Sequence, residues 1–221
     1  MFDPKSLMEE QSLAQIAWRS RRLPWNGFNL IITGSVGVLS SLYVATSSRP
    51  SAAFAEWSRS LSLIGIAFAA QVLGFLIAGF TIFATLTKPE LFRRMAVITH
   101  KESQLSYLKY NFFTFVQVFI HYLSFTAVCL MVGIVGASNG PLSEVVHRLC
   151  EDPDTTKALL AKIAYVVLCT WSVYILVALK SFIFNIYHVV MTAIRWDYES
   201  SLGTEKSQQP DTSASDPPKL E

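Results

Sequence analysis

The chain has 221 residues, of which 52% are hydrophobic and 15% are charged, and its formal net charge is +2. The charged fraction lies well below the roughly 25% of soluble domains, and the small net charge without a basic run excludes a nucleic-acid-binding protein. The length leaves room for one membrane domain with short flanks and excludes a separate soluble catalytic domain.

Four long stretches of the chain carry almost no charge. Arg59 and Lys88, for example, are separated by 28 residues without one charged side chain. Roughly 20 apolar residues are enough for a helix to cross ~30 Å of hydrocarbon. The sequence therefore predicts an all-α, polytopic membrane protein with short cytoplasmic amphipathic helices. Its four transmembrane helices are expected at about 28–47, 61–86, 111–137 and 160–181, the last extending to 194.

Residues 1–27 are predicted to form a cytoplasmic amphipathic segment. Asp3-Pro4 is a helix start signal, and Leu13, Ile16 and Ala17 make a short apolar stripe. Residues 1–22 are polar and mixed in charge, which is not the pattern of a cleavable signal peptide. The membrane domain is then 28–196.

The first span carries small residues at a strict spacing of four: Thr33, Gly37, Ser41 and Ala45. Small residues at this spacing let two membrane helices approach closely, because lipid does not drive helices together by the hydrophobic effect. This stripe is the predicted oligomer face of the first span.

The second and third spans each carry a polar stripe. In the second it consists of Ala67, Gln71, Gly74, Ala78, Thr81 and Thr85, and in the third of Thr114, Gln117, His121 and Ser124. We expect the small, polar face of the second span to point at protein, with its aromatic residues towards lipid or a neighbouring subunit. Counting in from each membrane face predicts contacts of Thr81 with Gln117 and of Ala78 with His121. The glutamines act either as interhelical hydrogen-bond donors and acceptors or as the lining of a hydrated path. His121 is either a functional group near mid-membrane or a neutral histidine bonded to a backbone carbonyl or to Gln117.

The middle loop begins with Thr87-Lys88-Pro89-Glu90, a pattern typical of a helix start. Its apolar residues share one face, so we expect an amphipathic helix resting on anionic lipid or on other cytoplasmic segments. Lys180, inside the fourth span, is expected to reach the headgroups along its aliphatic stem. The candidate lipid-headgroup contacts are Arg93, Arg94, Lys101 and Lys180.

Charge also predicts the topology. Thirteen of the 18 lysines and arginines fall on the side of the termini and the middle loop, and five on the other. The positive-inside rule then places both termini in the cytoplasm. Residues 197–221 are rich in Ser, Gln, Asp and Pro, which predicts a disordered cytoplasmic tail. The absence of an Asn-x-Ser/Thr sequon and of a signal peptide favours a bacterial inner membrane.

Several classes of protein are disfavoured by what the sequence lacks. No Asp or Glu occurs within a predicted span, which argues against proton-coupled or sodium-coupled transport. Three cysteines far apart do not make a disulfide framework, and four scattered histidines predict no metal site. Ser124 beside His121 is the single candidate catalytic pair, and no acid orients the histidine. We therefore expect no enzyme, no cofactor and no metal.

Two functions remain. The leading hypothesis is a non-enzymatic integral membrane protein that acts by homo-oligomerisation and by recruiting a cytoplasmic protein partner, as a bacterial stress or phage-defence membrane component would. The alternative is an oligomeric channel or membrane-permeabilising pore. Neutral polar residues would line it, chiefly Gln71, Thr81, Gln117, His121 and Ser124.

Overall fold

A computed structural model of the chain describes residues 12–20, 27–86, 89–100, 103, 105–137 and 140–208. Within these ranges the chain is helical and contains no strand, only one isolated antiparallel bridge between Thr99 and Ser106. The helices are α1 (Leu13–Ser20), α2 (Gly27–Thr46), α3 (Ser51–Leu86), α4 (Pro89–Val97), α5 (Tyr107–Val135), α6 (Pro141–Leu149) and α7 (Pro153–Gln208).

Four of these helices are long and apolar enough to cross a membrane. The candidate spans are Gly27–Thr46, Ser51–Thr81, Tyr107–Val135 and Pro153–Thr192. The predicted all-α, four-span architecture is therefore confirmed, and the chain is an integral membrane protein by the length and composition of its helices.

The helices extend beyond the charge-free stretches that predicted them. α3 begins at Ser51 and thus includes Glu56 and Arg59, ten residues ahead of the expected start at 61. A gap in charge marks only the part of a helix that hydrocarbon can accommodate, and a helix continues into the headgroup region as long as its backbone bonds are satisfied. α7 likewise continues through 197–208, where the predicted tail begins, and residues 209–221 lie outside the described part.

Short polar signals mark the helix starts. Ser106 precedes α5 with extended backbone angles and accepts a hydrogen bond from the Lys109 amide at 3.3 Å. Asp152 precedes α7 and accepts one from the Thr155 amide at 3.2 Å. Each thereby satisfies an amide that the first helical turn leaves unpaired. Pro141 begins α6 within the loop that follows the third span.

The core of the bundle lies where α3, α5 and α7 meet. Its fully buried members include Ala69, Leu76, Phe125, Leu168 and Ile175. α3 packs tightly against α5 at Gly65, where a Cβ atom would lie 3.0 Å from both the Cys129 sulfur and the Phe125 ring. Only a glycine permits that approach without displacing a neighbour.

α2 runs antiparallel along α7, and the pairing fixes their register. Tyr43 lies opposite Tyr165, with ring centroids 6.5 Å apart, and at the other end of α2 the Asn29 amide donates to the Ser181 hydroxyl at 2.8 Å. Phe54 and Trp57 of α3 join the two tyrosines. This aromatic cluster of four rings ties together the ends of α2, α3 and α7.

The short helices α1 and α4 both contact α5. In α4, Met95 and Ala96 are buried, while Arg93 and Arg94 are exposed. Of the two expectations for the middle-loop helix, the structure thus supports packing on another segment of the chain.

The chain divides into two compact units, Met1–Phe182 and Ile183–Glu221. The described part of the second unit is helical. It carries exposed apolar side chains such as Phe184 and Tyr187, and Arg195 forms an ion pair with Glu199 at 2.8 Å.

Candidate functional site

The small, polar stripe of α3 lies on the outside of the chain. Gln71, Gly74, Ala78 and Thr81 are all exposed, and a Cβ atom at Gly74 would meet nothing within 4 Å. The Thr81 hydroxyl donates to the Ile77 carbonyl of its own helix at 2.9 Å. No hydrogen bond joins the Gln71 side chain to another described residue.

The opposite face of α3 is the one that packs against protein. Phe68 lies against Tyr122, with centroids 6.4 Å apart, and Phe80 stacks on Phe115 at 4.6 Å. Within one chain, therefore, Phe68 and Phe80 face inwards and the stripe of Gln71, Gly74, Ala78 and Thr81 faces outwards, which is the reverse of the expected arrangement. Phe75 is 62% exposed and faces outwards as expected. The aromatic rings fill the space between α3 and α5 at these two positions.

The expected contacts of Thr81 with Gln117 and of Ala78 with His121 are wrong for the same reason. The stacking of Phe80 on Phe115 and the contact of Phe68 with Tyr122 also set a register that differs from the expected one by about one to two helical turns. Counting residues from the membrane faces cannot give that register, because side-chain packing decides it.

The polar stripe of α5 is half-buried and faces α7. His121 Nδ1 lies 2.7 Å from the Gln117 backbone oxygen. A carbonyl oxygen only accepts, so Nδ1 carries the proton and Nε2 is free to accept in a neutral ring. The Tyr174 ring lies 5.0 Å from the imidazole. The structure thus bonds His121 to a backbone carbonyl, which is one of the two bonding partners expected for it.

Within a single chain the two stripes do not line a common path. Gln71 and Thr81 are exposed on one side of α3, whereas Gln117, His121 and Ser124 are half-buried along α5. No hydrogen bond links Ser124 to His121 in the described part of the chain.

The predicted oligomer face of α2 is divided between two environments. Thr33 and Gly37 are half-buried, and a Cβ atom at Gly37 would lie 3.3 Å from the Thr170 hydroxyl oxygen of α7. Ser41 and Ala45 are exposed. Residues spaced by four drift around a helix by about 40° at each step, so one stripe reaches both surfaces. An open groove of ≈ 510 Å³ follows the outer side, lined by Gly34, Gly37, Val38, Ser41, Leu42 and Ala45.

The candidate headgroup contacts are exposed where they are described. Arg93 and Arg94 lie on the open side of α4, and the Lys180 ammonium lies 4.0 Å from the centre of the Phe28 ring. Lys101 lies outside the described residues. Among the residues described, no group of three or more His, Cys, Asp or Glu side chains is arranged to hold a metal ion.

Two features of the bundle were not predicted from the sequence patterns. Ser58, Ser62, Gly65 and Ala69 form the small face of α3 that packs inwards, at a 4-3-4 spacing as regular as that of the outer stripe. The expected start of the span at 61 divided this pattern. Asn29, Thr170 and Ser181 line the contact of α2 with α7, and their spacing in sequence is too irregular to mark a face.

No protein-family model, curated protein sequence or solved structure matches this chain.

Proposed function

We propose that this chain is a non-enzymatic integral membrane protein that acts by homo-oligomerisation through the outer face of α3. The observation that carries the proposal is the Gln71 side chain, exposed on a candidate membrane span without a hydrogen-bond partner among the described residues.

A primary amide in hydrocarbon without a partner is unfavourable by several kcal/mol relative to water. The amide of a second copy removes that cost, because a glutamine both donates and accepts and can therefore pair with itself across a two-fold axis. Interhelical hydrogen bonds of this kind contribute roughly 0.6–2 kcal/mol in membranes.

The neighbours of Gln71 allow the close approach that such a pair needs. Gly74 and Ala78 lie on the same face at small-residue spacing, and nothing in the chain fills the space over Gly74. Two α3 helices crossing there gain backbone contact that larger side chains would prevent. The groove along α2 is a second, weaker candidate contact, because half of its predicted face is already used on α7.

A cytoplasmic protein partner would dock on α4. Its Arg93 and Arg94 side chains are exposed, whereas Met95 and Ala96 are buried. The buried residues hold the helix against the rest of the chain, so that the two arginines are available to a partner. The distribution of lysine and arginine supports a cytoplasmic position for this helix and for both termini. A bacterial inner membrane stays the expected location.

Cysteine cross-linking in native membranes tests the assembly, in a background where Cys129, Cys150 and Cys169 are replaced. Ala78→Cys should give a disulfide-linked dimer. Ile77→Cys should not, since Ile77 is 52% exposed but lies about 100° around the helix from Ala78.

Adding Gln71→Leu to the Ala78→Cys variant should lower the association constant about 3- to 30-fold, the equivalent of one interhelical hydrogen bond, and the cross-linked fraction should fall accordingly. Gln117→Leu, on the inner stripe of α5, is the matched control and should leave it unchanged. A monomer at every position, or equal cross-linking at 77 and 78, contradicts the proposal.

A further inference from the structure

The contact between α2 and α7 is a polar seam over about half the length of α2. Asn29 bonds Ser181 at one end, and Gly37 faces the Thr170 hydroxyl at the other. Eight residues separate Asn29 from Gly37, which is about 12 Å of helix. Thr170, Tyr174 and Ser181 share one face of α7, because their spacings of four and seven are close to whole helical turns.

Three oxygens in this seam are buried without a hydrogen-bond partner in the described part of the chain: Asn29 Oδ1, Thr33 Oγ1 and Thr170 Oγ1. Hydroxyls elsewhere in the membrane helices mostly donate to the carbonyl four residues earlier. Ser40 does so to Val36 at 2.7 Å, and Thr126 to Tyr122 at 2.8 Å. Thr33 and Thr170 do not, so their hydroxyls are left for a partner within the seam.

Water is the partner that this chemistry fits. A buried polar atom is rarely left unpaired, and internal waters typically bond two to four such atoms. The three oxygens here lie on two facing helices within a short length, and hydrocarbon offers them nothing.

The two ends of the seam differ. At the Asn29 end, Phe28 and Lys180 are exposed, with the ammonium 4.0 Å from the ring centre. At the far end the aromatic cluster closes the gap, and Phe54 at its centre has 0% exposure. The Asn29 end thus lies beside exposed side chains, whereas a fully buried ring lies at the far end.

We propose that the α2–α7 seam is a hydrated crevice, open beside Lys180 and closed at the aromatic cluster, in which water binds Asn29, Thr33 and Thr170. The crevice belongs to one chain and does not depend on oligomerisation. Tyr174 lies on the same face of α7 as Thr170 and contacts His121. Water in the crevice therefore reaches Tyr174, which contacts His121. This hydrated path differs from the one that the polar residues of α3 and α5 were expected to line.

Isosteric substitution tests the proposal, because bound water and its absence predict changes of Tm in opposite directions. Thr33→Val and Thr170→Val keep the side-chain shape and remove the hydroxyl. If the hydroxyls hold water, each variant of the full-length protein in lipid should lower Tm by about 2–4 °C. If the hydroxyls are simply unpaired, valine is more favourable there and Tm rises. Thr126→Val is the matched control, since its hydroxyl bonds its own helix. A rise, or a change equal to the control, overturns the proposal.

Hydroxyl-radical footprinting provides a second readout, because labelling requires water next to the ring. Tyr174 should be oxidised in the native protein, and Tyr122, with 0% exposure, should stay unlabelled. Combining Thr33→Val with Thr170→Val should reduce the Tyr174 signal at least several-fold. Unchanged labelling in that variant, or none in the native protein, overturns the proposal even if both valine variants fold.

Discussion

The Tyr122 hydroxyl of α5 donates a hydrogen bond of 2.9 Å to the backbone carbonyl of Ile175 in α7. Both residues are fully buried in the core. A carbonyl has two lone pairs, so the Ile175 oxygen can accept this bond in addition to its helical one. The pair fixes the height of α7 against α5, and with it the contact of Tyr174 with His121.

Tyr122→Phe removes only this bond. We expect a loss of about 0.6 kcal/mol, and at most about 1.7 kcal/mol, which are the average and the maximum for interhelical hydrogen bonds within a folded membrane protein. Reversible unfolding in mixed micelles measures it. Tyr187→Phe, at an exposed position, is the control, and an equal effect of the two variants would show that the bond contributes nothing.

Substitutions at two glycines of α3 should affect folding and assembly separately. Gly65→Val should destabilise the fold by about 1–3 kcal/mol, since overpacking forces neighbours apart and a Cβ there lies 3.0 Å from Phe125 and Cys129. Gly74→Val should leave the unfolding free energy unchanged and lower the dimer fraction instead. Unfolding curves and cross-linking of the same two variants check this. The reverse pattern would mean that the faces of α3 are assigned the wrong way round.

Asp152 should make the start of α7 sensitive to acid. Its carboxylate accepts hydrogen bonds from the Thr155 hydroxyl and the Thr155 amide, and these two bonds lower the pKa of Asp152 below its usual value. A lowered carboxyl pKa stabilises the folded state above the ordinary pKa, and that contribution is lost as the pH falls through the lowered one. The protection of the Thr155 amide against hydrogen exchange, relative to an unstructured amide at the same pH, should therefore fall only in strongly acidic solution.

Two variants check the role of Asp152. Asp152→Asn keeps an oxygen that caps the amide and should leave exchange at Thr155 slow at neutral and acidic pH. Asp152→Ala should speed it at every pH. Fast exchange in the asparagine variant at neutral pH would show that charge, and not the hydrogen bond, protects the amide.

The number of spans follows from the sequence because hydrocarbon excludes charged side chains. The charge-free stretch between Arg59 and Lys88 therefore predicts a span whatever that helix packs against. The ends of the helices are predicted less accurately from the sequence. Glu56 and Arg59 lie in α3 because a helix can continue beyond the hydrocarbon into the headgroup region, where charge is tolerated. α3 shows the limit most clearly, since both of its faces carry small residues at helical spacing and the sequence alone gives no reason to prefer one.

By itself, then, the sequence determined that the chain crosses the bilayer four times as helices. Only the tertiary structure decided that Gly65 faces inwards and Gln71 outwards, and that Gly37 and Thr170 meet across one seam. The physical reason is that lipid and protein interior are similarly apolar, so burial in a membrane leaves no hydrophobic pattern that marks the inner face. Close packing selects that face, and packing depends on residues far apart in the chain.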